Sequence, residues 1–167
     1  MIQIRRARLE DEDALARIDA VTRTAEVSPA PPPPTGTSFF GPGTLPEDVL
    51  IAESEAVIGY AKLTQTIPLA SHEHVLLLSG LAVDPDRQRA GVGRRLVEAI
   101  AQEARSRGAR KLSLRVLGPN TAARGLYATC GFVIEGTLQA EFLLDGRYVD
   151  DVLMARYLIT ESQPQPR

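Results

Sequence analysis

The residue types best suited to chemistry gather where Asp84-Pro-Asp-Arg-Gln-Arg-Ala-Gly-Val-Gly-Arg-Arg95 leads into an apolar stripe. Gly91 and Gly93 carry no side chains, so a phosphate can come close to the backbone there. The stripe that follows marks a helix, whose first N–H groups lack internal partners and whose dipole favours negative charge. Loop and helix start together form a ready anion site. Arg87, Arg89, Arg94 and Arg95 surround it with positive charge in a chain whose net charge is −2. A Walker loop would need Gly-Lys-Ser/Thr, and this segment has no lysine. A Rossmann fingerprint would place its first glycine directly after the strand and a third Gly or Ala in the helix. Here residues 84–90 intervene after Val83, and position 96 is Leu. Both nucleotide readings fail on spacing. Glycines that merely turn the chain into a helix remain an alternative at this point.

A second constellation is Asn120-Thr-Ala-Ala-Arg-Gly-Leu-Tyr-Ala-Thr-Cys-Gly-Phe132. Asn120 reads as an N-cap and Gly131 as the stop of a short helix. Tyr127 is open to two readings. A phenol with a pKa near 10 can serve as a general acid, or the ring can simply pack beneath the helix. Cys130 reads as a small buried hydrophobe rather than a nucleophile. As the lone cysteine it excludes a disulfide within the chain and a cysteine-cluster metal site. With only His72 and His74 as histidines, no metal site is expected.

The elements that must hold these residues follow from hydrophobic periodicity. Ile2 and Ile4 alternate as a short strand. Ala14, Leu15, Ile18 and Val21 recur at helical spacing behind Glu10, Asp11, Glu12 and Asp13. Residues 28–46 contain Pro29, the run 31–34, Gly36, Gly41, Pro42, Gly43 and Pro46, which block helix and sheet alike. This is a long loop, partly polyproline II in character, and such loops inside a domain are usually functional or disordered. Phe39 and Phe40 within it either line an apolar pocket or pin the loop to the core. Residues 49–52 and 57–65 read as a hairpin, 75–83 as a buried strand, and 91–107 as a helix with Leu96, Val97, Ile100, Ala101 and Ala104 inward. A strand at 112–117, a helix at 120–129 and a hairpin around Asp145-Gly146 complete the series. The expected fold class is α/β (α+β), with a mixed, mostly antiparallel sheet of six to seven strands and flanking helices.

Length and composition set limits. The chain has 167 residues, 44% hydrophobic and 24% charged, which suits one soluble globular domain. We expect that domain at 1–160 and a flexible C-terminal tail at 161–167. The charge argues against a nucleic-acid binder. The longest mostly apolar stretch, 75–83, is less than half a membrane span, and no secretory signal is legible. A cytoplasmic domain without nucleic-acid or membrane partners is the expectation.

Gln88-Arg-Ala-Gly-Val-Gly93 resembles the Gln/Arg-x-x-Gly-x-Gly/Ala acyl-CoA loop of the GNAT N-acetyltransferases, and Val83-Asp-Pro resembles their usual strand exit. Residues 120–132 resemble that family's Asn-x-x-Ala-x-x-Leu-Tyr-x-x-x-Gly-Phe signature. The stretch from Gly131 through Asp145-Gly-Arg-Tyr-Val-Asp150 to Arg156 looks like small bacterial members that act on amino acids or protein N-termini. The resemblance covers about residues 49–157. It implies a single domain with a splayed central strand pair, acetyl-CoA as cosubstrate, and direct attack of an amine on the thioester in a ternary complex. Leu81, Ala82 and Val83 would then lie along pantetheine. Gln88, Arg89, Ala90, Gly91, Val92, Gly93 and Arg94 would hold the pyrophosphate, and Asn120 would contact pantetheine. Tyr127 would be the general acid. Some relatives carry a glutamate in the central strand, but Val75-Leu-Leu-Leu78 has none, which leaves Glu73, His74 and Glu141 as candidate bases, with Glu73 foremost. The partner would be a small-molecule amine or a peptide N-terminus, and a homodimer is compatible with the family. The competing readings are a non-catalytic acyl-CoA-binding or sensing domain on the same fold, and an interaction module built on the proline loop.

Overall fold

The computed structural model describes residues 1–158; the expected tail at 161–167 lies outside the described residues. A seven-stranded sheet runs in the order β1-β2-β3-β4-β5-β7-β6. Its strands are β1 (Gln3–Arg6), β2 (Val49–Glu53), β3 (Val57–Thr64), β4 (Val75–Val83), β5 (Lys111–Leu117), β6 (Val133–Leu144) and β7 (Arg147–Tyr157). Every neighbouring pair is antiparallel except β4 with β5. This is the mixed α/β sheet that the sequence predicts.

Helices cover both faces. α1 (Glu12–Thr22) lies on one side, and α2 (Val92–Ser106) lies on the other with α3 (Thr121–Thr129). The predicted stripe of α2 is fully inside, with Leu96, Val97, Ile100 and Ala104 packed against Leu63, Leu112 and Leu114. Gly108, at φ 87, stops this helix in a left-handed turn that favours glycine. On the opposite face Leu15 and Ile18 of α1 meet Ile51, Tyr60 and Ala82. Val21, predicted on the same apolar stripe, is exposed instead. The β6–β7 hairpin turns at Asp145 (φ 50) and Gly146 (φ 75), the double left-handed geometry expected of a two-residue Asp-Gly turn.

β4 and β5 pair only from Val75–Leu77 to Lys111–Ser113. Beyond that point β4 stays with β3 as far as Val83, and β5 stays with β7 as far as Leu117. The central pair therefore parts. A bulge marks the place: the β3–β4 register shifts between Lys62 and Leu63, skipping Ser79. Leu76 and Leu78 face the α2 side, yet so do Leu81 and Val83, while Ala82 joins the α1 side. One extra residue has reversed the alternation, as a bulge must. The predicted burial of 75–83 is only partial, because this strand borders the opening instead of a closed core.

Candidate active site

Where β4 and β5 part, a cavity of about 660 Å³ runs through the sheet from the start of α2 to the end of α1. Leu81, Ala82 and Val83 flank it on one side, and Val116, Asn120 and Tyr127 on the other.

At the α2 end the chain leaves β4 and makes a short turn at Pro85–Arg87. Asp84 stabilises that turn by accepting from the Asp86 amide at 3.2 Å. Arg17 of α1 donates to Asp84 at 2.7 Å and holds its carboxyl below the usual range. Gln88 Nε2 donates to the Val83 carbonyl at 3.2 Å, tying the loop back to its strand. Arg89 has φ 62 and Gly91 φ 77. A left-handed arginine is uncommon and stores strain of the kind that collects at binding loops. The first α-helical bond runs from the Arg95 amide to the Gly91 carbonyl at 3.1 Å. The amides of Val92, Gly93 and Arg94 are therefore left for an anion. The two glycines do different work. Gly91 supplies a dihedral, with open space around it. A Cβ at Gly93 would stand 3.2 Å from Leu126 Cδ2, so this glycine lets α2 and α3 pack closely. Gln88, Arg89, Gly91, Gly93 and Arg94 line the cavity, whereas Ala90 and Val92 do not; Val92 is buried in the core.

Tyr127 projects from α3 beneath the parting strands, its ring 5.8 Å from that of Phe132. It is buried, and burial pushes its hydroxyl pKa up to about 12. Its hydroxyl makes no hydrogen bond among the described residues, and the side chain lines the cavity. Asn120 is the N-cap of α3, its Oδ1 accepting from the Ala123 amide at 3.1 Å, and it lines the cavity too. Burial of Cys130 raises its thiol pKa, in keeping with a packing role.

Glu73 is not brought here. It is exposed in the turn that precedes β4, at the paired end of that strand, outside the cavity lining. The reason is topological: β4 is paired with β5 at its start and opens only past Leu77, which leaves a residue before Val75 at the closed end. His74 is exposed beside it, and Glu141 lies 3.8 Å from the Arg115 guanidinium.

The α1 end holds polar groups that sequence reasoning missed. Tyr60 Oη donates to Asp19 Oδ1 at 2.7 Å, and Arg23 Nη2 donates to Asp19 Oδ2 at 2.6 Å. All of these residues line the cavity. Burial, and then the Asp19 charge, push the Tyr60 pKa well above the ordinary phenol range. The Asp19–Arg23 spacing of four on a helix was legible as an ion pair, but only the fold places Tyr60 beside it. Phe39 and Phe40 do not line the cavity. Their amides donate to Glu12 at 2.5 and 3.0 Å, and the Phe39 ring meets Tyr60 edge-on at 4.9 Å. They pin the proline loop and brace Tyr60.

The model of the acetyltransferase (GNAT) family matches residues 17–132, from α1 through the anion loop to Phe132. The chain belongs to this family. It is 36% identical over 111 residues to the phosphinothricin N-acetyltransferase of Alcaligenes faecalis, covering 65% of this chain and 56% of that one. It is 42% identical over 80 residues to the ribosomal protein bS18-alanine N-acetyltransferase of Escherichia coli K12, covering 47% of this chain and 53% of that one. This GNAT chain thus spans little more than half the length of those relatives. Its fold is shared with yncA from Salmonella typhimurium, solved with its cofactor acetyl-CoA, at a TM-score of 0.79 and 23% identity over 99% of this chain and 98% of that one. No helix of this family member, among the described residues, is long and apolar enough to cross a membrane.

Proposed function

We propose that this GNAT domain transfers the acetyl group of acetyl-CoA to a primary amine by direct attack within a ternary complex. The observation that carries the reading is the parted β4–β5 pair, with an anion loop at one end and an unpartnered tyrosine hydroxyl inside. The amides of Val92, Gly93 and Arg94, with Arg89 and Arg94, suit a pyrophosphate; the free edge of β4 at Leu81–Val83 suits the amides of pantetheine. Acetyl-CoA supplies the activated thioester. Holding both reactants in one gap contributes an effective molarity of about 10⁵ M or more.

Tyr127 keeps its proton at neutral pH and donates a hydrogen bond or the proton itself to the departing sulfur. No base need stand in the gap when the acceptor is an α-amine. With a pKa of about 8 such an amine is roughly one-tenth neutral at pH 7, against about one part in 2,500 for a lysine amine near 10.4. That chemistry favours an amino acid or a peptide N-terminus; the relatives are named for phosphinothricin and for an alanine of ribosomal protein bS18. The protein would act as a cytoplasmic enzyme.

The test is release of CoA thiol on adding amine and acetyl-CoA. Tyr127→Phe is expected to lower kcat by about 10²–10⁴-fold, the range for loss of a general acid, while acetyl-CoA still raises the melting temperature. A Tyr127→Phe protein as active as wild type would remove the tyrosine from the mechanism. Failure of millimolar acetyl-CoA to raise the wild-type melting temperature would sink the whole reading. Binding without thiol release for any amine would instead identify a sensing domain.

A further inference from the structure

Asp19, Arg23 and Tyr60 line the α1 end of the cavity. Both Asp19 oxygens are engaged, one by Tyr60 and one by Arg23. Asp19 thereby holds two groups in place with its own charge answered. Arg23 is the C-terminal flank of α1 and gives one N–H to Asp19; its remaining donors have no partner among the described residues, and its side chain borders the cavity. Lys62, two positions beyond Tyr60 on β3 and so on the same face, stands outside the cavity lining. Its ammonium meets only the Thr44 hydroxyl, at 3.1 Å, among the described residues. Burial lowers the Lys62 pKa, and the Asp19 charge opposes that shift. At the cavity wall itself stand one guanidinium and one carboxylate, and of the two only the guanidinium has hydrogen-bonding groups to spare among the described residues.

The Tyr60 hydroxyl lies close to the point where the central strands part. A Cβ on Gly80 would stand 3.3 Å from Tyr60 Cε2 and 3.9 Å from its Oη. Gly80 follows the bulge at Ser79, the point where β4 leaves β5. The hydroxyl proton is committed to Asp19, so the phenol oxygen keeps lone pairs that can accept from an incoming N–H. An amine at Tyr60 and an anion at Arg23 are then one Asp19 carboxylate apart.

We propose that the acceptor is a free α-amino acid whose carboxylate is bound by Arg23 while its amino group rests on Tyr60, with Asp19 as the positioning residue for both. The proposal rests on the acetyl-transfer reading and narrows it: a peptide N-terminus offers a neutral carbonyl where the guanidinium fork calls for an anion.

The experiment compares thiol release for a panel of L-amino acids, their carboxamides and 1,4-diaminobutane, with wild type, Arg23→Ala and Arg23→Lys. The expected result is a best acceptor that carries a carboxylate. Its kcat/KM falls by about 10–100-fold in Arg23→Ala, the value of one or two charge-assisted hydrogen bonds. The loss appears mainly in KM, is far smaller on the matching carboxamide, and is partly restored by Arg23→Lys. The ratio of ratios removes the different amine pKa values of acid and amide. A best acceptor without a carboxylate, or equal losses on acid and amide, overturns the carboxylate site and leaves the transfer reading standing. Thiol release that no amine accelerates overturns both.

Discussion

The two ends of α1 carry similar ionic clusters that serve opposite ends. At its start, Arg5 of β1 bridges Asp11 and Glu53, and all five guanidinium N–H groups are used: Nε to Glu53 at 3.0 Å, Nη1 to Asp11 at 2.8 Å and the Arg6 carbonyl at 3.1 Å, and Nη2 to Asp11 at 2.9 Å and Glu53 at 3.1 Å. Asp11 also accepts from the Arg8 amide at 2.7 Å. At the other end Arg23 lines the cavity and gives a single N–H to Asp19, its other donors having no partner among the described residues. The same side-chain chemistry is structural where its hydrogen-bonding capacity is exhausted, and available for a ligand where it is not.

The largest effect that separates them is on stability. Asp11→Ala leaves Arg5 with one carboxylate and orphans the Arg8 amide. Asp11 is nearly buried, its side chain 9% exposed. Loss of one partner from a buried ion pair costs about 3–5 kcal/mol, and the surviving Glu53 contact places the expectation near about 3 kcal/mol. Urea unfolding measures it. A loss below about 1 kcal/mol would show that water replaces Asp11 and that the contrast between the clusters is not one of burial.

Sequence patterns reached different depths in these regions. α2, the strands about it and the Asp-Gly hairpin were legible because each is specified by its own periodicity and turn chemistry. The anion loop was legible because its glycines, arginines and helix start are contiguous. Residues 81–83 and Tyr127 were singled out through family motifs, and the fold sets them on facing walls of one gap. That Glu73 falls outside the cavity lining is not legible, because apolar runs do not reveal where a strand stops pairing; the parting after Leu77 depends on β5 and β7, remote in sequence. Tyr60 and Asp19 were missed for the same reason, since 41 positions separate two groups that share a hydrogen bond. The bulge at Ser79 leaves no mark in Leu-Ser-Gly-Leu.

Acid gives a second, smaller contrast. The hydrogen bond from Arg5 is the main cause that holds Asp11 below its ordinary pKa, and the same guanidinium lowers Glu53. A carboxyl with a depressed folded-state pKa contributes stability that is present above its unfolded value of about 4 and is lost as pH falls through the folded value. Wild type and Asp11→Asn should therefore differ most near neutrality and converge below about pH 4. Parallel curves over that interval in urea unfolding would mean that Asp11 acts through shape alone.

The smallest effect is the one the comparison most needs. Arg23 sits with its side chain 30% exposed and one ion pair within its own helix, four residues from Asp19. Pairs of that kind contribute about 0.3–0.5 kcal/mol. Arg23→Ala should thus unfold in urea within about 0.5 kcal/mol of wild type, although it is expected to disable recognition of the acceptor's carboxylate. Asp11→Ala should do the reverse, losing stability while the folded fraction keeps its kcat/KM. If Arg23→Ala proves as unstable as Asp11→Ala, the guanidinium is holding the end of α1 and the Pro-rich segment behind it. Its open donors would then belong to the fold and not to a ligand, and the two ends of the helix would be the same device used twice.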